Sequence, residues 1–252
     1  CLRVDPLEKF YGLCRAAGMV EGSSGQPRLH PPRIQEWGGR VAALIEAGRV
    51  VGWCRGRMEF GPRALGSRSI LADATNPGMK AIINQKIKYR EYFRPFAPAV
   101  PLEHVHEYFE VPAGTALPFM LKVPRVRPEA APRIPAVTHE DGTGRVQTVT
   151  RDDNPLYHAL LKAVERRTGV PIVVNTSFNV RGEPIVCTPR DAVECFLQTG
   201  IDALVVGNYL VTGKNGAELD ERAGYQRSDA LEARIEAVAG ARGLSLAGVA
   251  AP

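Results

Sequence analysis

Paired cysteines are missing from this chain. Cys1, Cys14, Cys54, Cys187 and Cys195 form no CxxC and no other paired spacing, which excludes a disulfide framework and a structural zinc site. No apolar run approaches the ~18 residues of a membrane span, and no signal peptide is visible, so the chain is expected in the cytoplasm. Blocks of like charge are absent too, which argues against a nucleic-acid-binding tail. There is no internal repeat, no GxxxxGK[ST] and no GxGxxG, so the usual phosphate-loop signatures are excluded. The initiator Met is also lacking, and a start at Cys1 reads as a fragment of a longer protein.

What is present is a globular composition. The 252 residues are 44% hydrophobic, enough to bury one sizeable core, and 25 Gly with 20 Pro predict many turns. A net charge of +5 suits an anionic small molecule. Residues 1–32 read as an extension, with a short amphipathic helix over 2–19 and then a linker. Residues 33–214 read as the main domain. Residues 215–252 read as a polar extension with one helix over 225–240.

Within the main domain, helical spacing of apolar residues predicts a helix over 33–47. Strands follow at 49–54 and 69–73, and a helix runs from Asn76 or Pro77 to 83. A strand is expected at 119–123, a proline-rich loop at 124–135, and a strand–turn–strand over 136–149 about Asp141-Gly142. Asn154 caps a helix that starts at Pro155 and stops at Gly169. Residues 170–175 read as a buried strand. Thr188, Pro189 and Asp191 start a further helix, to about 199, and strands at 203–207 and 209–212 flank Gly207-Asn208. Strands alternating with helices predict an α/β (α+β) fold, a twisted mixed β-sheet with flanking helices.

Three stretches carry chemistry. In residues 84–98, Lys86, Lys88 and Arg90 alternate with Ile87 and Tyr89, a strand-like period that puts three cations on one side; Arg94 follows. Two like charges ~4 Å apart repel by roughly 4 kcal/mol at an effective dielectric of ~20, and an anion reverses the sign. The plainer alternative is a solvated basic edge strand. The Gly-rich loop 56–69 holds Arg57, Arg63 and Arg68 with Glu59. Its backbone N–H groups and guanidiniums suit phosphate or carbamoyl oxygens, or else internal Arg–Glu pairs simply pin the loop. At the end of the buried strand, Asn175, Thr176, Ser177 and Asn179 offer short donors and acceptors, and Arg181 adds a cation. His139, Asp141 and Arg145 are polar enough to face a ligand, although Asp141 equally suits a plain turn. His104 and His106 read as a surface feature, and no metal site is expected.

Four segments then resemble one family in order: RMEFGPRALGSRSIL (57–71), KIKYREYFRPFAPAV (86–100), AVTHEDGTGRVQTV (136–149) and VNTSFNVRGEPIV (174–186). They are similar to the carboxyl-terminal domain of O-carbamoyltransferases that modify nodulation factors, aminoglycosides and cephalosporin-type antibiotics, over roughly residues 40–213. The resemblance implies a YrdC-like fold whose KxR and SxN elements, here Lys88-Tyr89-Arg90 and Ser177-Phe178-Asn179, hold ATP and a one-carbon carboxy species. It implies Lys88, Arg90 and Ser177 as catalytic residues. Arg57, Arg63, Arg68, Lys86, Arg94, Arg145, Asn175, Asn179 and Arg181 would bind ATP, as Mg-ATP, and carbamoyl phosphate.

The implied reaction converts carbamoyl phosphate and ATP to carbamoyladenylate. A sugar-kinase-like transferase domain with a histidine-bound iron would then deliver the carbamoyl group to a hydroxyl. That domain is missing here, so it is expected in cis in a longer chain or as a separate partner, and iron is expected only there. Neither membrane nor nucleic acid is expected as a partner. Two alternatives stay open: a non-catalytic nucleotide-binding module, and a threonylcarbamoyl-adenylate synthase-like enzyme, against which the 57–71 segment argues.

Overall fold

A computed structural model of the chain describes residues 34–89, 94–207 and 209–212. The helices expected over 2–19 and 225–240, and most of both extensions, lie outside the described residues.

The chain runs α1 (Ile34–Glu46), β1 (Val51–Cys54), β2 (Arg68–Asp73), α2 (Met79–Ile83), β3 (Ala97–Pro101), α3 (Val105–Tyr108), β4 (Gln147–Val149), α4 (Pro155–Thr168), β5 (Val173–Ser177), α5 (Pro189–Gln198), β6 (Ala203–Val206) and β7 (Tyr209–Thr212). The strands form one seven-stranded sheet in the order β4-β3-β5-β2-β1-β6-β7. β1 with β6 and β3 with β4 are parallel, and the remaining pairs are antiparallel. This is an α/β fold with a mixed sheet, as the alternating elements predict. β1, β2 and β3 are buried along their whole length; for β1 this explains a continuous apolar run rather than an alternating one, whereas β3 carries no strand signal in the sequence.

Alternation decides which face packs where. Val51 and Trp53 of β1, Leu71 of β2, Val173 of β5, and Ala203 and Val205 of β6 meet Val41, Ala42 and Ile45 of α1 and Tyr157, Leu160, Leu161 and Val164 of α4 in one core. The two helices also lie against each other. Helix α4 begins as its sequence dictates. Asn154 accepts a hydrogen bond from the Tyr157 N–H, Pro155 fills the first turn, and left-handed Gly169 (φ 73°) ends it. Helix α5 opens with a complete capping box: Thr188 accepts from Asp191 N–H and Asp191 accepts from Thr188 N–H.

Three expectations are corrected. Residues 119–123 form no strand; they lie in turn and irregular backbone that includes Met120, whose φ of 55° is left-handed. Residues 136–149 form one short strand, β4, preceded by a tight turn in which His139 N–H donates to Thr143 O and Gly142 N–H to His139 O. The third concerns the basic stretch. Asn84–Lys88 is not extended but a π-helical turn, continuous with α2 and closed by Tyr89 N–H donating to Asn84 O at 2.7 Å. Tyr89 then leaves it in a left-handed conformation, φ 43° and ψ 45°. The alternation of Lys86 with Ile87 was therefore a misleading period: four residues fit a strand and a π turn equally well until tertiary partners choose.

Candidate functional site

The π turn sends its two lysines to different places. Lys86 Nζ lies 2.9 Å from both carboxylate oxygens of Asp202, whose Oδ2 also accepts the Val50 N–H. Lys86 thus ties the turn to the start of β6. Lys88 is 5% exposed, and its ammonium donates to Ser177 O at 2.6 Å, Asn179 Oδ1 at 2.8 Å and Asn179 O at 2.9 Å, with Ser177 Oγ at 3.4 Å. Ser177 Oγ–H donates to Asn179 Oδ1 at 2.6 Å, and Asn179 Nδ2 donates to Glu183 O at 2.7 Å. Ser177 is the last residue of β5, so the cluster sits where a central strand ends, the usual ligand position in such sheets. Arg181 is exposed and donates to Tyr89 O at 3.0 Å, closing the turn from outside. Arg90 lies outside the described residues, and Arg94 is exposed.

The Gly-rich loop is organised by its own charges. Glu59 Oε1 accepts the N–H groups of Leu65 and Ser67 at 2.7 Å and of Arg68 at 3.3 Å. Arg68, 6% exposed, donates to the carbonyls of Cys187, Arg55, Gly56 and Ser67. Of the two readings of the loop, these contacts fit the one in which it is pinned from within: three of its backbone N–H groups are engaged by a carboxylate, and Arg68 braces it through backbone carbonyls. Asn175, 1% exposed, does the same from the sheet: its Nδ2 donates to Ala64 O and to Gln147 Oε1, while Gln147 Nε2 donates to Leu65 O.

Arg57 and Arg63 are left exposed on the loop. Arg145 is half-buried, and its Nε has no hydrogen-bond partner. Burial first, and the Arg63 guanidinium second, pull Arg145 below its ordinary value. Two guanidiniums within electrostatic reach, one partly desolvated, form a locus that an anion stabilises. Asp141 accepts from Thr143 N–H and Thr143 Oγ1–H, so its carboxylate serves its own turn.

Sequence reasoning gave no role to Gln147 or Asp202, and gave Glu59 only that of pairing with the loop's arginines, not of gathering its backbone N–H groups. Glu59 had a signal, a lone carboxylate among three arginines in a loop. Gln147 had another, a long amide in an otherwise small and apolar strand. Asp202 had none before the fold brought it to Lys86. Among the described residues no three His, Cys, Asp or Glu side chains gather into a metal site, and no helix is long and apolar enough to cross a membrane.

Comparison with known proteins points to one family. The family model described as "Carbamoyltransferase C-terminus" matches residues 42–213. Nodulation protein NolO of Bradyrhizobium diazoefficiens is 52% identical over 193 residues, covering 76% of this chain and 35% of that protein. The 3'-hydroxymethylcephem-O-carbamoyltransferase of Streptomyces clavuligerus is 40% identical over 172 residues, covering 67% of this chain and 31% of that one. Among solved structures, full-length HypF in its phosphate- and nucleotide-bound form has a TM-score of 0.44 at 19% identity, over 68% of this chain and 20% of that chain; a likeness this distant carries no argument. The matched region spans about a third of the relatives' length. With the family model covering most of the described residues, the chain belongs to the carbamoyltransferase carboxyl-terminal family.

Proposed function

We propose that the chain is the carbamoyl-activating part of an O-carbamoyltransferase, with residues 33–214 as the activating domain. Carbamoyl phosphate is first hydrolysed to carbamate and phosphate. A carbamate oxygen then attacks the α-phosphorus of Mg-ATP, the bond to the β-phosphate oxygen breaks, and carbamoyladenylate and pyrophosphate form. The observation that carries this reading is the convergence of Lys88, Ser177 and Asn179, from two separate segments, on one buried ammonium.

The chemistry needs position and positive charge rather than a nucleophilic side chain, because charge accumulates on the α-phosphoryl oxygens and on the leaving pyrophosphate. Lys88 places an ammonium in a low-dielectric setting where each such interaction is strengthened. Its three N–H bonds are taken by Ser177 O, Asn179 O and Asn179 Oδ1. A phosphoryl oxygen that displaces Asn179 Oδ1 gains the ammonium and releases the Ser177 hydroxyl as a second donor. Arg63 and Arg145 hold the remaining anionic oxygens, with Arg57, Arg90 and Arg94 as further cations toward the pyrophosphate. Delivery of the carbamoyl group to a hydroxyl, and the iron associated with it, belong to the other two thirds of the longer relatives, joined in cis or as a partner chain. Cytoplasmic ATP and carbamoyl phosphate are the small-molecule partners.

Pyrophosphate–ATP exchange on this chain, with and without carbamoyl phosphate, tests the proposal. The expected result is carbamoyl-phosphate-dependent exchange that collapses in Lys88→Ala and Ser177→Ala. ATP binding with no exchange in the folded chain would replace this reading by a nucleotide-binding module, and exchange that requires threonine would replace it by threonylcarbamoyl-adenylate synthesis.

A further inference from the structure

Asn84 is 8% exposed, and neither its Nδ2 nor its Oδ1, each with under 1 Å² of exposed surface, meets a hydrogen-bond partner. Among the described residues it alone leaves two separate side-chain polar atoms, an N–H donor and a carbonyl acceptor, buried and unmet. Such an amide destabilises the ligand-free fold, and an apolar residue of similar size would avoid the penalty. Its place is informative. Asn84 opens the π turn that ends in Lys88, and in a turn closed by an i→i+5 bond, residues four apart lie nearly on one face. Both side chains are buried. The turn also ends in a left-handed non-glycine residue, Tyr89, and backbone strain of that kind persists where the surroundings hold a site in shape.

We infer that Asn84 is the residue that reads the carbamoyl group. This rests on the carbamoyl-activating function proposed above. A primary amide offers one acceptor and one N–H donor in a plane, and its complement is another primary amide. Carbamoyl phosphate, carbamate and carbamoyladenylate all carry an amino group on a carbonyl carbon. Asn84 Nδ2–H donates to the carbamoyl oxygen, and Asn84 Oδ1 accepts from the carbamoyl N–H. An adenine edge presents a similar donor–acceptor pair, but on a bicyclic ring. Atoms with no open surface favour the far smaller group, reached by a turn of the Asn84 side chain.

The consequence is discrimination. Acetyl phosphate has the shape of carbamoyl phosphate with a methyl group in place of the amino group, so it leaves Asn84 Oδ1 unmet, and sites built to pair a polar group reject analogues lacking it. The experiment measures affinities of the whole chain for carbamoyl phosphate and acetyl phosphate by calorimetry, and the ligand-free Tm, for the wild type, Asn84→Leu and the smaller Asn84→Ala. The wild type is expected to prefer carbamoyl phosphate by at least about 100-fold. Both variants are expected to lose that preference to within a few-fold, and Asn84→Leu to melt no lower than the wild type. A preference retained in either folded variant overturns the inference and leaves the proposed function standing. So does a changed preference for ATP over GTP with the carbamoyl preference intact. Failure of the wild type to bind carbamoyl phosphate overturns both.

Discussion

Replacing Gly66 by alanine should damage this fold more than any other single methyl group added to the Gly-rich loop. Gly66 has a φ of 105°, and a Cβ there would lie 2.3 Å from Tyr157 Cδ1 and 2.7 Å from Cε1. The ring has nowhere to go: Tyr157 is fully buried in the core and sits 6.3 Å from the Trp53 ring, centroid to centroid. The loop is equally fixed, since Trp53 Nε1–H donates to Gly66 O at 2.8 Å and Gly66 N–H to Ser69 Oγ at 3.0 Å. Backbone strain contributes roughly 1–3 kcal/mol and overpacking roughly 1–3 kcal/mol. At a central value of about 4 kcal/mol and ~3 °C per kcal/mol for a domain of this size, Tm falls by about 12 °C. Gly182→Ala is the control: its φ is 86°, but nothing lies within 4 Å of the added carbon. It bears the backbone term alone, and Tm falls by about half as much. Thermal melts by circular dichroism read both. If the two variants melt together, contact with Tyr157 is not what requires glycine at position 66.

Two further outcomes follow from burial. Burial pushes the Cys54 thiol up to about 11, and Cys195 is buried while Cys187 is exposed; brief alkylation near neutral pH followed by peptide mapping should mark Cys187 and spare Cys54 and Cys195 until the chain is unfolded. Burial first, then Arg145 and Lys80, lower His139 from its ordinary 6.5, with Asp141 opposing. The unfolded chain therefore takes up this proton at a higher pH than the folded one, and His139's share of stability is whole above that value and is lost as pH falls toward the folded one. Between about pH 7 and pH 5 the wild-type Tm should drop more steeply than that of His139→Gln; parallel slopes would remove His139 from the account.

The helices were legible because their signals are local. Asn154-Pro155 and Thr188-Pro189 mark α4 and α5 within a residue, since a cap and a proline act on the next turn whatever the tertiary setting. The polar end of β5 was legible for a related reason: Ser177 and Asn179 follow buried residues that have no other reason to end so abruptly in hydroxyl and amide groups. The conformation of the basic stretch was not legible. The π turn depends on Lys86 finding Asp202 and Lys88 finding the 177–179 turn, and no window of sequence contains those distances. That Arg68 and the Asn175 Nδ2 would bond within the fold was not legible for the converse reason. A buried cation and a buried amide look the same in sequence whether they meet a ligand or a backbone carbonyl.

Glu59 carries a consequence for how the Gly-rich loop takes its shape. In many phosphate-binding loops, neighbouring N–H groups converge on an anion that arrives with the ligand, so the loop takes its final shape only on binding. Here the anion is built in, as a carboxylate six to nine residues from the amides it gathers. The ordering entropy is thus lost once, during folding, and not on binding. On the proposed function, the loop would meet a nucleotide as a rigid wall, and association would proceed at the rate set by encounter and electrostatic steering rather than by a closing step.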